Sequence, residues 1–225
     1  MKKATLTLAA TLLFAISTHA QDRSTRLGLQ VSPNMGWITT DEDAVDNDGS
    51  RLGYRFGLLG DFQLGSNANY FFSTGAFLNN VGAKLKTTLS DSARTTFTSE
   101  SKFQYVEVPI TVKLKTNEIG YMTYYGQIGF GTAFNISAKS DFDQPDANGK
   151  ITRVTDEDIM DNTQLFKASL IVGAGLEFNF SGNTSAMIGV TYNNGFTNIN
   201  KDVKIGETEL KAKQNYLELS LGVFF

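Results

Sequence analysis

In the stretch YVEVPITVKLK (105–115) three charged side chains, Glu107, Lys113 and Lys115, alternate with Val106, Val108, Ile110, Val112 and Leu114. Carboxylates and amines in that pattern could form acid–base pairs, an ion path, or a buried ion network. Acid–base catalysis near neutral pH leans on histidine, whose ordinary pKa lies there. The chain has one histidine, His19, and no cysteine. Thiol nucleophiles, disulfides and a lipid-modified cysteine are therefore excluded. An Asp/Ser or Asp/Asp arrangement remains formally open, but no constellation of that kind is evident, and the chain reads as no enzyme, without cofactor. A second acidic feature, TTDEDAVDNDGSR, gathers Asp41, Glu42, Asp43, Asp46 and Asp48. These are oxygen ligands of the type Ca²⁺ takes. An EF-hand pattern ending at Asp48-Gly49 needs an acid where Ala44 stands, so the stretch reads as a solvated acidic loop and no metal site is assigned.

His19 lies in a segment with its own logic. Lys2 and Lys3 precede a mostly apolar run, Ala4 to Ser17, and Thr18-His19-Ala20 supplies small residues at the −3 and −1 positions of a cut before Gln21. This is the pattern of a secretory signal peptide over 1–20, with a single domain over 21–225. The apolar run falls short of the roughly 18 residues of a helical span. Loss of Lys2 and Lys3 takes the 20 Lys and Arg to 18 against 23 Asp and Glu, a net charge of −5, and removes the histidine. That balance argues against nucleic acid as a partner.

The elements that would position the charges are eight alternating segments: 26–37, 51–64, 70–82, 105–115, 121–137, 165–180, 185–196 and 215–225. Each carries one apolar register, as in Phe166, Ala168, Leu170, Val172, Ala174, Leu176, Phe178 and Phe180, and one polar or small register. The connections alternate long (38–50, 83–102, 138–164, 197–214) and short (GSNAN, TNEIG, SGNT). That layout predicts an all-β fold, an eight-stranded antiparallel up-and-down transmembrane β-barrel of the outer-membrane type, with both termini periplasmic.

Orientation follows from volume. The interior of eight strands is only just filled by side chains, so the continuous apolar register must face lipid and the charges the lumen. Arg55, Glu107 and Lys167 then lie high, Asp61, Lys113 and Glu177 low, and Glu218 between, each layer mixing signs. Unpaired buried charge costs several kcal/mol per ion, so a lumen ion network is expected. Its functional reading is an ion or proton path; its structural reading, favoured in so narrow a bore, is a plug that closes the lumen and fixes register. Aromatics collect near the strand ends, Trp37, Phe134, Phe166 and Phe196 above, Phe62, Tyr70, Phe72, Phe180 and Phe225 below, as interfacial girdles. A narrow channel for small solutes and a soluble, secreted lipocalin-like binder remain as alternatives.

Taken together, YVEVPITVKLK, VGAGLEF (172–178), LGYRFGLLGDF (52–62) and the terminal YLELSLGVFF make the chain resemble the PorT-like outer-membrane β-barrel domain family over essentially its whole length after residue 20. The resemblance implies a small barrel of the cell envelope, secretion-associated in some members, with no catalytic set to transfer. It also implies recognition of Phe225 by barrel-assembly machinery. Partners expected are outer-membrane lipid and an envelope or extracellular protein held by the outer loops 38–50 and 138–164. Within the latter, DFDQPDANGK reads as a turn around Pro145 and Gly149, and TDEDIMDN as one helical turn capped by Thr155. Pro109 lacks the N–H a ladder needs, so a bulge or a missing rung is expected there.

Overall fold

The alternation of β-branched and aromatic residues with small polar ones suits a pleated sheet with two different solvents on its faces. A computed structural model describes residues 24–41, 45–88, 96–145, 151–181, 184–201, 204–205 and 208–225. The leader over 1–20 with its cut before Gln21, and residues 42–44 of the acidic stretch, lie outside the described residues. So does Gly149. The described residues form strands β1 (Thr25–Thr40), β2 (Val45–Gln63), β3 (Tyr70–Thr88), β4 (Thr96–Lys115), β5 (Met122–Pro145), β6 (Ile151–Asp158), β7 (Phe166–Ser181), β8 (Thr184–Gly195), β9 (Lys204–Ile205), β10 (Thr208–Glu209) and β11 (Ala212–Phe224).

Eight of these make the wall. Their order is β4-β3-β2-β1-β11-β8-β7-β5, all neighbours are antiparallel, and β4 pairs with β5 to close the ring. Closure leaves no sheet edge within the wall, which a backbone in hydrocarbon requires. No described helix is long and apolar enough to cross a membrane. Each of the eight predicted segments falls on one of the eight wall strands, several of which run beyond the predicted bounds.

The two faces are inverted relative to a soluble protein. Leu29, Val31, Leu52, Phe56, Ile128, Phe130, Val190 and Leu219 are exposed, whereas Arg55, Asp61, Glu107, Lys113, Lys167 and Glu177 are buried, Lys113 and Lys167 to 1 %. A lipocalin-like interior would have the opposite distribution.

The long connections depart from expectation. The segments 38–50 and 138–164 are largely strand, not loop. β1 runs to Thr40 and β2 begins at Val45, while β5 continues to Pro145 and is returned by β6 through a paired hairpin. Backbone N–H and C=O groups still need partners beyond the apolar belt, and the inward register continues there with Ile38, Val81 and Phe103. Thr155 caps no helix: it lies inside β6. The helical turn in this stretch is 3-10, Met160–Asn162, and the Met160 N–H donates to Asp158 Oδ1 at 2.9 Å. Asp158, adjacent to the turn and free of the β6 bulge, supplies the acceptor.

At Pro109 a rung is missing and there is no bulge. β3 and β4 pair through Thr74↔Ile110 and resume at Phe77↔Glu107 in the same register, while the β5 side pairs Pro109↔Gly131 without interruption. The Pro109 carbonyl accepts instead from the Thr74 hydroxyl at 2.7 Å. Pro33 repeats the device on the β1–β11 seam, which skips from Val31↔Leu221 to Asn34↔Glu218.

Candidate functional site

Because side chains alternate across a strand, one register of β2, β4, β7 and β11 aims all its charges inward. The structure gathers them into two clusters. In the cluster nearer the hairpin end, Arg55 Nε lies 3.1 Å from Glu107 Oε2 and Arg55 Nη1 lies 3.2 Å from Glu218 Oε1. Glu107 also accepts from Tyr216 Oη at 2.9 Å and from Asn79 Nδ2 at 3.0 Å. Lys167 Nζ is 3.7 Å from Glu107 Oε1 and sits between the rings of Tyr105 and Tyr216, 4.8 and 5.1 Å from their centroids. The Arg55 guanidinium stacks on Phe77 at 3.5 Å. Two acids and two bases balance, and both carboxylates accept hydrogen bonds, whereas Lys167 Nζ is held by charge and ring contacts without a hydrogen bond; pairing of this kind is what a buried ion cluster needs.

The second cluster lies nearer the short turns. Lys113 Nζ reaches Asp61 Oδ2 at 2.8 Å, and Lys115 Nζ reaches Glu177 Oε1 at 2.9 Å and Asp61 Oδ2 at 3.2 Å. Arg26 Nη1 closes on Glu177 Oε2 at 2.6 Å and its other nitrogen bonds Ser185 Oγ. Ser73 Oγ donates to Asp61 Oδ1 at 2.6 Å. Three cations face two carboxylates here. The surplus charge lies over the fully buried Phe224 ring, whose centroid is 4.3 Å from the Arg26 guanidinium, 5.1 Å from Lys113 and 5.5 Å from Lys115; such contacts are attractive when desolvated.

All seven predicted lumen residues, Arg55, Asp61, Glu107, Lys113, Lys167, Glu177 and Glu218, therefore sit inside the barrel, four in the first cluster and three in the second. Glu218, expected between the two, bonds Arg55 in the first. Sequence reasoning placed Lys115 in the inward register but not in the network, and it missed Arg26. Both were legible: Lys115 continues the register of Glu107 and Lys113, and Arg26 that of Gly28 and Gln30. It also missed an apolar plug above the first cluster, where Ile38, Val81, Phe103, Ala138 and Ile199 pack together. Most of it continues the inward registers past the predicted strand ends. Ala138 does not: a bulge in β5, between the pairs Tyr105↔Asn135 and Gln104↔Ser137, shifts its phase.

Between the clusters lies a cavity of about 40 Å³, lined by Gln30, Thr111, Gln127, Thr191 and Glu218 among others. At roughly 10–15 Å³ per water position it has room for about three waters. It is far smaller than the several hundred Å³ of a ligand pocket.

The predicted aromatics line the outside. Phe134, Phe166 and Phe196 near the hairpin end and Phe62, Tyr70, Phe180 and Phe225 near the turn end are exposed; Trp37 and Phe72 are half-buried. Trp37 stacks on Tyr192 at 6.0 Å, Phe134 meets Phe166 at 5.6 Å and Phe62 meets Phe72 at 6.4 Å.

Beyond the upper aromatics the hairpins carry a third charge group. Asp141 on β5 accepts from the Asp156 backbone N–H at 2.8 Å, and its Oδ2 lies 2.8 Å from Lys102 Nζ. The backbone donor and then the Lys102 ammonium hold the Asp141 carboxyl below the usual range, and the bond to Asp141 raises Lys102. Asp156 takes φ 56°, a left-handed conformation uncommon outside glycine, at a register shift in the β5–β6 ladder.

A family comparison agrees with the architecture. The family model described as outer membrane protein beta-barrel domain matches residues 19–179. No curated protein matches the sequence. Solved structures with a similar fold include Neisserial surface protein A, 13% identical over 88% of this chain and 95% of that one, TM-score 0.46. The attachment invasion locus protein Ail of Yersinia pestis is 19% identical over 89% and 97%, TM-score 0.38. OprG of Pseudomonas aeruginosa is 10% identical over 89% and 94%, TM-score 0.45.

Proposed function

The chain belongs to the outer membrane protein beta-barrel domain family, and on that premise we propose that it is a non-conducting envelope scaffold that holds partner proteins on its raised hairpins. The observation that carries this reading is the pairing of two charged lumen clusters, with a cavity of only about 40 Å³ between them, with wall strands that continue well past the apolar belt as paired hairpins. An ion network that fills the bore acts as an internal strut. It fixes strand register, and it leaves the hairpin ends as the surface at which anything is recognised.

In this reading the barrel is PorT-like, either secretion-associated or surface-binding, and has no catalytic role. Residues 1–20 are removed as a signal peptide, both termini face the periplasm, and the strand ending at Phe225 is the signal read by the assembly machinery. The two sets of aromatics mark the two membrane interfaces, where amphipathic rings are favoured. The test is a hairpin deletion. Replacing residues 139–158 by a short turn should leave heat-modifiable gel mobility intact and remove a protein crosslinked to the chain on cells. A barrel that still captures the same protein refutes the assignment of that hairpin, and loss of folding shows the hairpin to be part of the wall's stability instead.

A further inference from the structure

Every wall strand has two strand neighbours, but among the described residues β6 has one, β5. Its free edge runs over Ile151–Asp158, and its side chains are exposed on both faces except Val154, which is half-buried. A strand held on one side presents unpaired N–H and C=O groups along the other, a ready template for another chain. The wall below cannot be used in this way because it is closed.

The charges of this edge select what fits it. Asp156, Glu157 and Asp158 end the strand and Asp161 follows in the 3-10 turn. Asp156 is shared with Lys102 at 3.3 Å, and Arg153 is held by Asp143 at 3.3 Å. Glu157, Asp158 and Asp161 have no ion pair among the described residues. A second copy in the same membrane is a poor occupant. A two-fold axis along the membrane normal would lay the two β6 strands parallel, with identical residues facing, so Glu157 and Asp158 would oppose their own copies. Like charges directly opposite are destabilising.

We propose that β6 binds, by strand addition, an extended basic polypeptide segment, with backbone ladder bonds to Ile151–Thr155 and cationic side chains beside Glu157, Asp158 and Asp161. The proposal rests on the surface-binding reading above and names its mode and partner chemistry. The bulge at Asp156, fixed by Asp141 and Lys102, turns the acidic end of the strand, so the regular ladder is formed with Ile151–Thr155 and the charge contacts follow.

The probe is a synthetic peptide of alternating threonine and lysine, about eight residues long, the length of an ordinary strand. It is titrated by fluorescence anisotropy against the full chain folded in nanodiscs. A second probe carries a backbone N-methyl group at every residue. It keeps every charge and cannot donate ladder bonds. The expected result is saturable binding of the first probe and at least about tenfold weaker binding of the second, a loss of 1.4 kcal/mol or more. Glu157→Lys with Asp161→Lys, both at exposed positions, should abolish binding of the basic probe and admit a threonine–glutamate one. Equal binding of the methylated and unmethylated probes overturns strand addition, leaving charge attraction alone. No binding of either overturns the proposal, while on-cell crosslinks that map to the β1–β2 or β3–β4 hairpins would then leave the scaffold reading standing.

Discussion

Glu107 is the acid on which the first lumen cluster turns, because it takes Arg55, Lys167, Tyr216 and Asn79 at once. Glu107→Ala leaves two buried cations short of a partner and should cost about 3–5 kcal/mol, read from denaturant unfolding of the barrel in detergent. Its neighbour Val108 lies in the lipid-facing register, and Val108→Ala should cost well under that, about 1 kcal/mol or less. Equal, small losses would mean that Glu107 is not held as described. A second residue-scale expectation concerns pH. Asp141, beyond the membrane belt, has a lowered folded-state pKa, so its contribution is present above its ordinary value of 3.8 and is lost as pH falls through the lowered one. Lys102 is raised, so its contribution is present below its ordinary 10.5 and is lost as pH rises through the raised one. The local opening free energy of the β5–β6 amides, read from hydrogen exchange corrected for the intrinsic rate, should therefore be constant across neutral pH and fall in strong acid, a fall that Asp141→Asn reproduces at pH 7. The lumen charges themselves were legible because a charge between two valines in a long alternation has one physical solution in lipid. Arg26 escaped because it stands alone at the start of β1, where glycine and glutamine make the inward register look neutral.

At the scale of elements, the eight strands were readable because the period of two persists over ten or more residues with short Gly/Asn turns between them. The strand ends were not. Beyond the belt the outward face meets water, so its alternation loses contrast, and β5, β6 and the β1–β2 hairpin look like polar loops although their backbones stay paired. Phase shifts were invisible as well: nothing in the residues around Ile136 announces the bulge that brings Ala138 inward. The missing rung at Pro109 was legible, since proline removes a donor wherever it sits. Its repair by Thr74 was not, because it depends on which strand lies alongside. Thr74→Val removes the hydroxyl that the Pro109 carbonyl accepts and should cost about 1 kcal/mol, measured against Thr132→Val, which removes the analogous bond to Val108. Close packing gives a further expectation. Gly175 and Gly189 pair across β7 and β8, and the Tyr125 hydroxyl lies against both. Gly189→Ala drives a methyl group into that hydroxyl and should destabilise the barrel by about 1–3 kcal/mol, with Tyr125→Phe partly relieving the loss.

For the whole molecule, three layers close one bore: the cationic cluster around Phe224, the balanced cluster around Glu107, and the apolar plug of Ile38, Val81, Phe103 and Ile199. The first two mix charge with aromatic rings, and the third excludes water. Together they make the interior a folding core with its polarity reversed, while the exposed apolar register takes lipid as solvent. The solution behaviour follows: the chain should fold only in detergent or bilayer and show heat-modifiable mobility, and a monodisperse detergent-free monomer would contradict the inverted faces. The measurement that bears most directly on the sealed lumen is single-channel recording of the heat-modifiable, folded chain in planar bilayers. The account predicts a quiet baseline at high protein load, with no discrete steps. Stable, reproducible conductance steps that disappear when Ile38 or Phe103 is crosslinked across the mouth would contradict it.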